Sequence, residues 1–171
     1  MKNHDTLKVS DNVTITLRDA VTGSITHQST HNLVTHPGEM FVVDRMRERA
    51  SVTPMDLTTT YVALGTGSTI ANYWLGSLIT EISGVGNPGR DVPDSLSRST
   101  QTVLVSNLFT STQASGGLTE AGIFITGYDS GGNLQTVSAA LDSGGLFAYA
   151  TFNEITKDDT NTLTLDWELL F

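Results

Sequence analysis

The residues able to do chemistry are few and scattered. The histidines are His4, His27, His31 and His36. If the stretch around them is strand and loop, His27 and His31 share a face, but nothing in the spacing fixes a third ligand. Exposed or hydrogen-bonded imidazoles explain them better than a metal cluster does. Asp129-Ser-Gly-Gly-Asn133 and Asp158-Asp159 offer oxygens for a loose calcium site, although Asx side chains in such stretches ordinarily build turns. General acid–base work needs two carboxylates in one cleft with separated environments. Glu81 and Glu120 sit beside apolar residues and are the ones to consider. A structural role accounts for them more simply: each accepts backbone N–H bonds or pairs with Arg90 or Arg98. Serine is plentiful, but no Gly-x-Ser-x-Gly elbow occurs. Gly65-Thr-Gly67 lacks the Lys-Ser/Thr of a Walker loop and the third glycine of a dinucleotide fingerprint, so it reads as a sharp strand exit. The residues therefore imply neither an enzyme, nor a cofactor, nor a metal.

Binding chemistry is slightly better represented. Arg45, Arg47 and Arg49 are the one basic concentration of the chain. With Arg90 they are the cationic candidates for a contact surface, against the simpler reading of a solvated helix face neutralised by Asp44 and Glu48. Tyr73, Trp74 and Tyr128 stand near Asp or Asn, as aromatics that stack on sugars do, although Trp74 reads more readily as core filling.

Composition narrows the class. The chain of 171 residues is long enough for one domain with a real core. Sixteen Gly and abundant Thr and Ser suit short strands and tight turns better than helices. A net charge of −9 opposes binding to phosphate backbones. The absence of Cys removes disulfides and thiolate metal sites. No apolar run is long enough to span a bilayer as a helix, and the first residues show no signal core, so synthesis in a cytoplasm is expected.

These residues must be positioned by strands. Thr162 to Phe171 alternates strictly, with Leu163, Leu165, Trp167, Leu169 and Phe171 on one face, and predicts a closing strand with that face in the core. Leu7 to Leu17 alternates too, with a bulge or bend expected at Asp11-Asn12. It turns at Asp19–Ser24 and returns over Ser24–Thr30. This weakly apolar hairpin is marginal alone and must lie on the core or on another subunit. Thr35 and Pro37 announce the one convincing helix, over about 37–50, with an apolar stripe at Val42, Val43, Met46 and Ala50. Tyr61–Gly67 reads as a short buried strand and Ser68–Ile82 as a short helix or turn. Gly84–Ser97 reads as a long Gly/Pro loop suited to surface contacts. From Thr100 onward, strands recur at intervals of roughly ten residues, with a shift expected at Ser106-Asn107. The expected fold is mainly β: an antiparallel β-sandwich, jelly-roll-like, with one short helix. It forms a single domain over 1–171, in which 1–30 is a hairpin arm and 31–171 the sandwich.

Several stretches then fall into a familiar order. They are His31-Asn-Leu-Val-Thr35, Tyr61-Val-Ala-Leu-Gly-Thr-Gly67, Leu78-Ile-Thr-Glu81, Leu118-Thr-Glu-Ala-Gly-Ile-Phe124, and the Trp-containing close. Over about residues 31–171 this order resembles a diffuse group of tailed-bacteriophage virion proteins. The pattern departs at Glu81, where Ile82-Ser-Gly separates the glutamate from any arginine. The resemblance implies a small, non-enzymatic, β-rich structural part. The first expectation is a capsid decoration (cement) protein that binds the major capsid protein and copies of itself, as a homotrimer on the virion surface. There the hairpin and the 84–97 loop would grip the shell. The second is a tail, baseplate or fibre component that binds a host surface glycan. A polysaccharide lyase or hydrolase is a distant third.

Overall fold

The computed structural model describes residues 10–47, 54–68, 70–84, 87–141 and 143–170. Leu7, Val9, His4, Glu48, Arg49, Ala50 and Phe171, to which expectations were attached above, lie outside them.

The fold is mainly β, with one short helix. Its nine-stranded antiparallel sheet runs β4-β3-β7-β10-β2-β1-β11-β6-β5. In chain order the elements are β1 (Ser10–Asp19), β2 (Ile25–Val34), α1 (His36–Met46), β3 (Thr60–Gly65), β4 (Arg90–Asp91) and β5 (Ser95–Ser99). There follow β6 (Thr102–Phe109), β7 (Gly116–Ile125), β8 (Gly127–Tyr128), β9 (Leu134–Gln135), β10 (Gly145–Lys157) and β11 (Asn161–Leu170). β8 and β9 form a separate two-stranded ribbon. Among the described residues no helix is long and apolar enough to cross a membrane.

The sheet curls because β2 serves two halves. Its residues up to His31 pair with β1, and Asn32–Val34 pair with β10. One half is β5-β6-β11-β1 and the other is β10-β7-β3-β4. Their inward faces close on each other, giving a sandwich-like core of apolar side chains from both halves. β11 supplies Leu163, Leu165, Trp167 and Leu169, each at most 2 % exposed, as its alternation predicts. It lies between β1 and β6, in the interior of its half.

The N-terminal hairpin is no arm. β1 is bonded on both sides, to β2 and β11, and Val13 and Ile15 are fully buried. The bulge expected at Asp11-Asn12 does not occur, since the register against β11 runs unbroken from Ser10↔Leu170 to Asp19↔Asn161. The turn is set by Asp19, whose Oδ1 accepts the Val21 and Thr22 N–H groups at 2.7 and 2.8 Å. Nor is there a shift at Ser106-Asn107: β6 stays in register with β11, and Leu104 and Leu108 simply point outward. The expected loop over 84–97 contains β4 and begins β5, an edge strand paired to β6. Pro93 falls between the two, where no ladder bond is needed.

The second half is covered on its outer face as well. Ala71, Leu75 and Leu78 pack with Val137 on Ala63, Phe124, Leu146 and Tyr149. The covering segment 70–82 is made of turns rather than the helix allowed by its spacing.

The helix is seated by a bulge. Between Leu146 and Ala148 the β10–β7 register slips, so Phe147 is an extra residue and its carbonyl leaves the ladder. That carbonyl accepts the Thr35 N–H at 3.0 Å, and the Thr35 hydroxyl donates to the neighbouring Leu146 carbonyl. Thr35 caps the helix by accepting from the Gly38 N–H at 3.3 Å. At Gly38 the helix approaches so closely that a Cβ would lie 2.2 Å from the Phe147 oxygen. The buried face is accordingly Pro37, Gly38, Phe41 and Asp44. Of the predicted stripe, Val42 packs against the core, whereas Val43 and Met46 are 52 % and 77 % exposed. The close approach at Gly38 sets the rotation, which leaves Val42 against the core and turns Val43 outward.

Candidate functional site

Three of the stretches singled out in the sequence meet at one carboxylate. Glu120 lies on β7 with no exposed surface. Its Oε1 accepts the Gly67 N–H at 3.0 Å and the Thr80 N–H at 2.8 Å. Its Oε2 accepts the Ile79 N–H at 3.1 Å and the Tyr149 hydroxyl at 2.8 Å. Gly65 and Gly67 must be glycines here, because a Cβ on either would stand 2.5 Å from Oε1. The Leu78–Glu81 stretch is drawn against the end of β3 by a Gly65↔Glu81 bridge and by the Thr66 N–H on the Thr80 carbonyl at 2.9 Å. Burial first, and the bond to Glu120 second, push the Tyr149 hydroxyl far above its ordinary range, so it stays a donor. A carboxylate with four donors around it has no acceptor left for a substrate.

Glu81 and Arg90 form the second buried charge site. The guanidinium meets the carboxylate in a two-point pair, Nε to Oε1 at 2.7 Å and Nη2 to Oε2 at 2.6 Å. Nη1 donates to the Ser138 and Ser143 carbonyls at 3.2 and 3.0 Å, and the group lies 3.9 Å over the Phe124 ring. So the eight residues between Glu81 and Arg90 do not prevent the pair. Arg90 is 5 % exposed and is committed to the covering layer, which removes it from the contact surface where it was expected. Arg98 is exposed and donates instead to the Thr100 carbonyl. Arg45 and Arg47 are exposed on α1 and at its C-cap.

The other candidates resolve locally. Asp129 accepts the Asn133 and Gly131 N–H groups, and these bonds, the Asn133 one foremost, hold its carboxyl below the usual range. Asp158 is lowered likewise, by the Thr160 hydroxyl first and its N–H second. Both are the turn-forming Asx residues that their surroundings suggest. Among the described residues no three His, Asp or Glu side chains are grouped to hold a metal. The His27 Nδ1 is 2.9 Å from the Thr16 hydroxyl, while the His36 ring meets that of Trp74 at a tilt of 41°, with 4.6 Å between ring centres.

His36 also lines an open cleft of about 510 Å³ along α1. Its lining includes His36, Glu39, Val43, Arg47, Tyr73 and Tyr128. Glu39 accepts the Tyr73 hydroxyl at 2.6 Å, and Asp44 accepts that of Tyr128. Burial, and secondly Glu39, push the Tyr73 hydroxyl up to about 12. Tyr128 is buried, so it is a wall rather than a stacking platform. Trp74 is 62 % exposed and fills no core. Its backbone N–H donates to the Asn72 Oδ1 at 3.0 Å, and its ring meets the Tyr73 ring edge-on at 5.0 Å. Nothing in the local patterns marks the Glu39–Tyr73 and Asp44–Tyr128 pairs, whose members are 34 and 84 residues apart.

No protein-family model, curated protein or solved structure matches the chain.

Proposed function

We propose that the protein is a structural part of a tailed-bacteriophage particle, a capsid decoration protein that binds and stabilises the assembled head together with copies of itself in a trimer. The observation that supports adhesion over reaction is the commitment of the deep carboxylates. Glu120 and Glu81 each spend their oxygens on holding the fold together and line none of its open clefts. The order of motifs in the sequence supports the phage assignment. One surface open to contact bears exposed Val43, Met46 and Trp74, with Arg45 and Arg47 giving local positive charge on an acidic chain. A decoration protein that binds only the assembled shell adds its binding energy to shell stability by mass action. Repeated contacts within a trimer raise the effective concentration of each.

The contact role first given to the hairpin passes to this surface, because β1 is needed inside the sheet. The test is to sediment the purified protein with heads of its virus prepared without this chain. Saturable coating in hundreds of copies by gel densitometry is expected, weakened by Met46→Glu at unchanged melting temperature. Absence of the protein from the pelleted heads would overturn the decoration role. A second reading, a tail or fibre component that binds a host glycan, is favoured by the exposed Trp74 held against the His36 and Tyr73 rings. A handful of copies per particle would select it.

A further inference from the structure

We infer that the chain joins copies of itself by a heterologous contact, in which the exposed face of α1 on one copy docks in an acidic groove on the outer face of β1, β11, β6 and β5 of the next. The partner is a second copy of this chain, and the closure of such contacts into a trimer rests on the proposed decoration reading.

The groove has a volume of about 350 Å³. Two cross-strand rows build it: Asn12, Glu168 and Leu104 stand side by side, and next to them Thr14, Asp166 and Ser106. Their neighbours along each strand fill the core, so these side chains point away from it. The outer face of the other half is covered by the 70–82 segment, whereas Leu104 and Leu108 are exposed on this one. Asp166 accepts the Ser106 hydroxyl at 2.7 Å. The Glu168 carboxylate is exposed and bonds to nothing among the described residues. The groove therefore sets exposed leucine beside negative charge that no cation neutralises.

The exposed face of α1 has the complementary composition. Val43 and Met46 are its exposed apolar side chains, and Arg45 and Arg47 stand beside them, also exposed. The Arg47 guanidinium has no partner among the described residues. On a chain of net charge −9, this basic and apolar spot is where an acidic surface is attracted. α1 packs on β10 and β8, while the groove crosses β1, β11, β6 and β5 on the other half. One copy thus offers the two patches to two different neighbours.

Other pairings match less well. Two grooves face to face would set Asp166 and Glu168 against their own counterparts, and two α1 faces would do the same with Arg45 and Arg47. Like charges opposed across an interface are unfavourable, which disfavours both twofold arrangements. Contact of α1 with the groove matches the signs, and heterologous contacts close into a ring when their rotation allows it. Phosphate backbones and anionic membranes are repelled by the groove. With Met46 inside the contact, Met46→Glu weakens coating of heads by taking the trimer apart, since coating gains from repeated attachment.

The experiment is sedimentation velocity on the full chain over a series of protein concentrations, at low and at high salt. Reversible association that stops at one size and weakens with salt is expected. Arg47→Glu and Glu168→Arg, each at unchanged melting temperature, should raise the dissociation constant about ten-fold or more. Both reversals in one chain should bring it back towards the wild-type value, because the pair is then restored with its signs exchanged. A wild-type chain that stays monomeric at every concentration, association indifferent to either single reversal, or no recovery in the double variant would each overturn the inference. Head binding is read separately by the pelleting assay. A monomer that still coats heads would remove this contact and leave the decoration role, and a ring that ignores heads would do the reverse.

Discussion

Arg90 shows how this molecule keeps charge inside. A buried ion pair is tolerable when both partners are fully bonded, and removing one partner leaves the other stranded. Arg90→Lys keeps the charge but cannot reproduce the two-point pair with Glu81 while also reaching the Ser138 and Ser143 carbonyls. It should cost roughly 2–4 kcal/mol by urea denaturation. Adding Glu81→Gln should cost little more, because the two act as a unit. The tyrosines give a second, pH-dependent reading. A hydroxyl whose folded pKa is raised contributes stability that is intact below its unfolded value of 10.0 and is lost as pH rises through the folded value. Lys157 acts in the opposite sense. Burial lowers its amine, so its penalty is relieved as pH rises towards 10.5 and then stays constant. The urea midpoint should therefore rise as pH approaches about 10, where Lys157 loses its proton, and fall from there to about pH 12, less steeply in Tyr73→Phe. That Glu81 and Glu120 would bond backbone N–H groups or an arginine was legible from carboxylates set among apolar neighbours. Which did which was not, because the partners of Glu120 lie up to 53 residues away.

The elements were legible where one periodicity ruled. β11 and β3 behave as their patterns require, the first alternating and the second a short apolar run ended by glycines. The helix was found from its cap, yet its buried face was misassigned at Val43 and Met46. Valine spacing suggested one rotation, whereas packing against the Phe147 bulge demanded that glycine face the sheet. Gly38→Ala is the test of that seating. Its Cβ would meet the Phe147 carbonyl, so α1 should lift from β10 despite the better helix propensity of alanine. Faster amide exchange in α1 is the expected outcome, at a cost of about 1–3 kcal/mol. Val43→Asp, on the exposed face, should change stability by no more than about 0.5 kcal/mol.

At the scale of the whole molecule, the hairpin was the largest surprise. Its few apolar residues suggested an arm, but Val13 and Ile15 suffice to fill a position already flanked by β11 and β2. Strand order cannot be read from local patterns, since β1 and β11 stand at opposite ends of the chain. The covering layer over β3, β7 and β10 was equally invisible as a layer. Its parts read as loops, and Glu120 and the Glu81–Arg90 pair are the buried charges that bind them down beside their apolar contacts. The account therefore rests on Glu120 as a fastening for that layer rather than a reactive acid. Glu120→Gln is the direct test, because the amide turns an acceptor into a donor among backbone N–H groups that themselves donate. Equilibrium urea unfolding should show a loss of roughly 2–4 kcal/mol. An unchanged unfolding midpoint in Glu120→Gln would contradict the account.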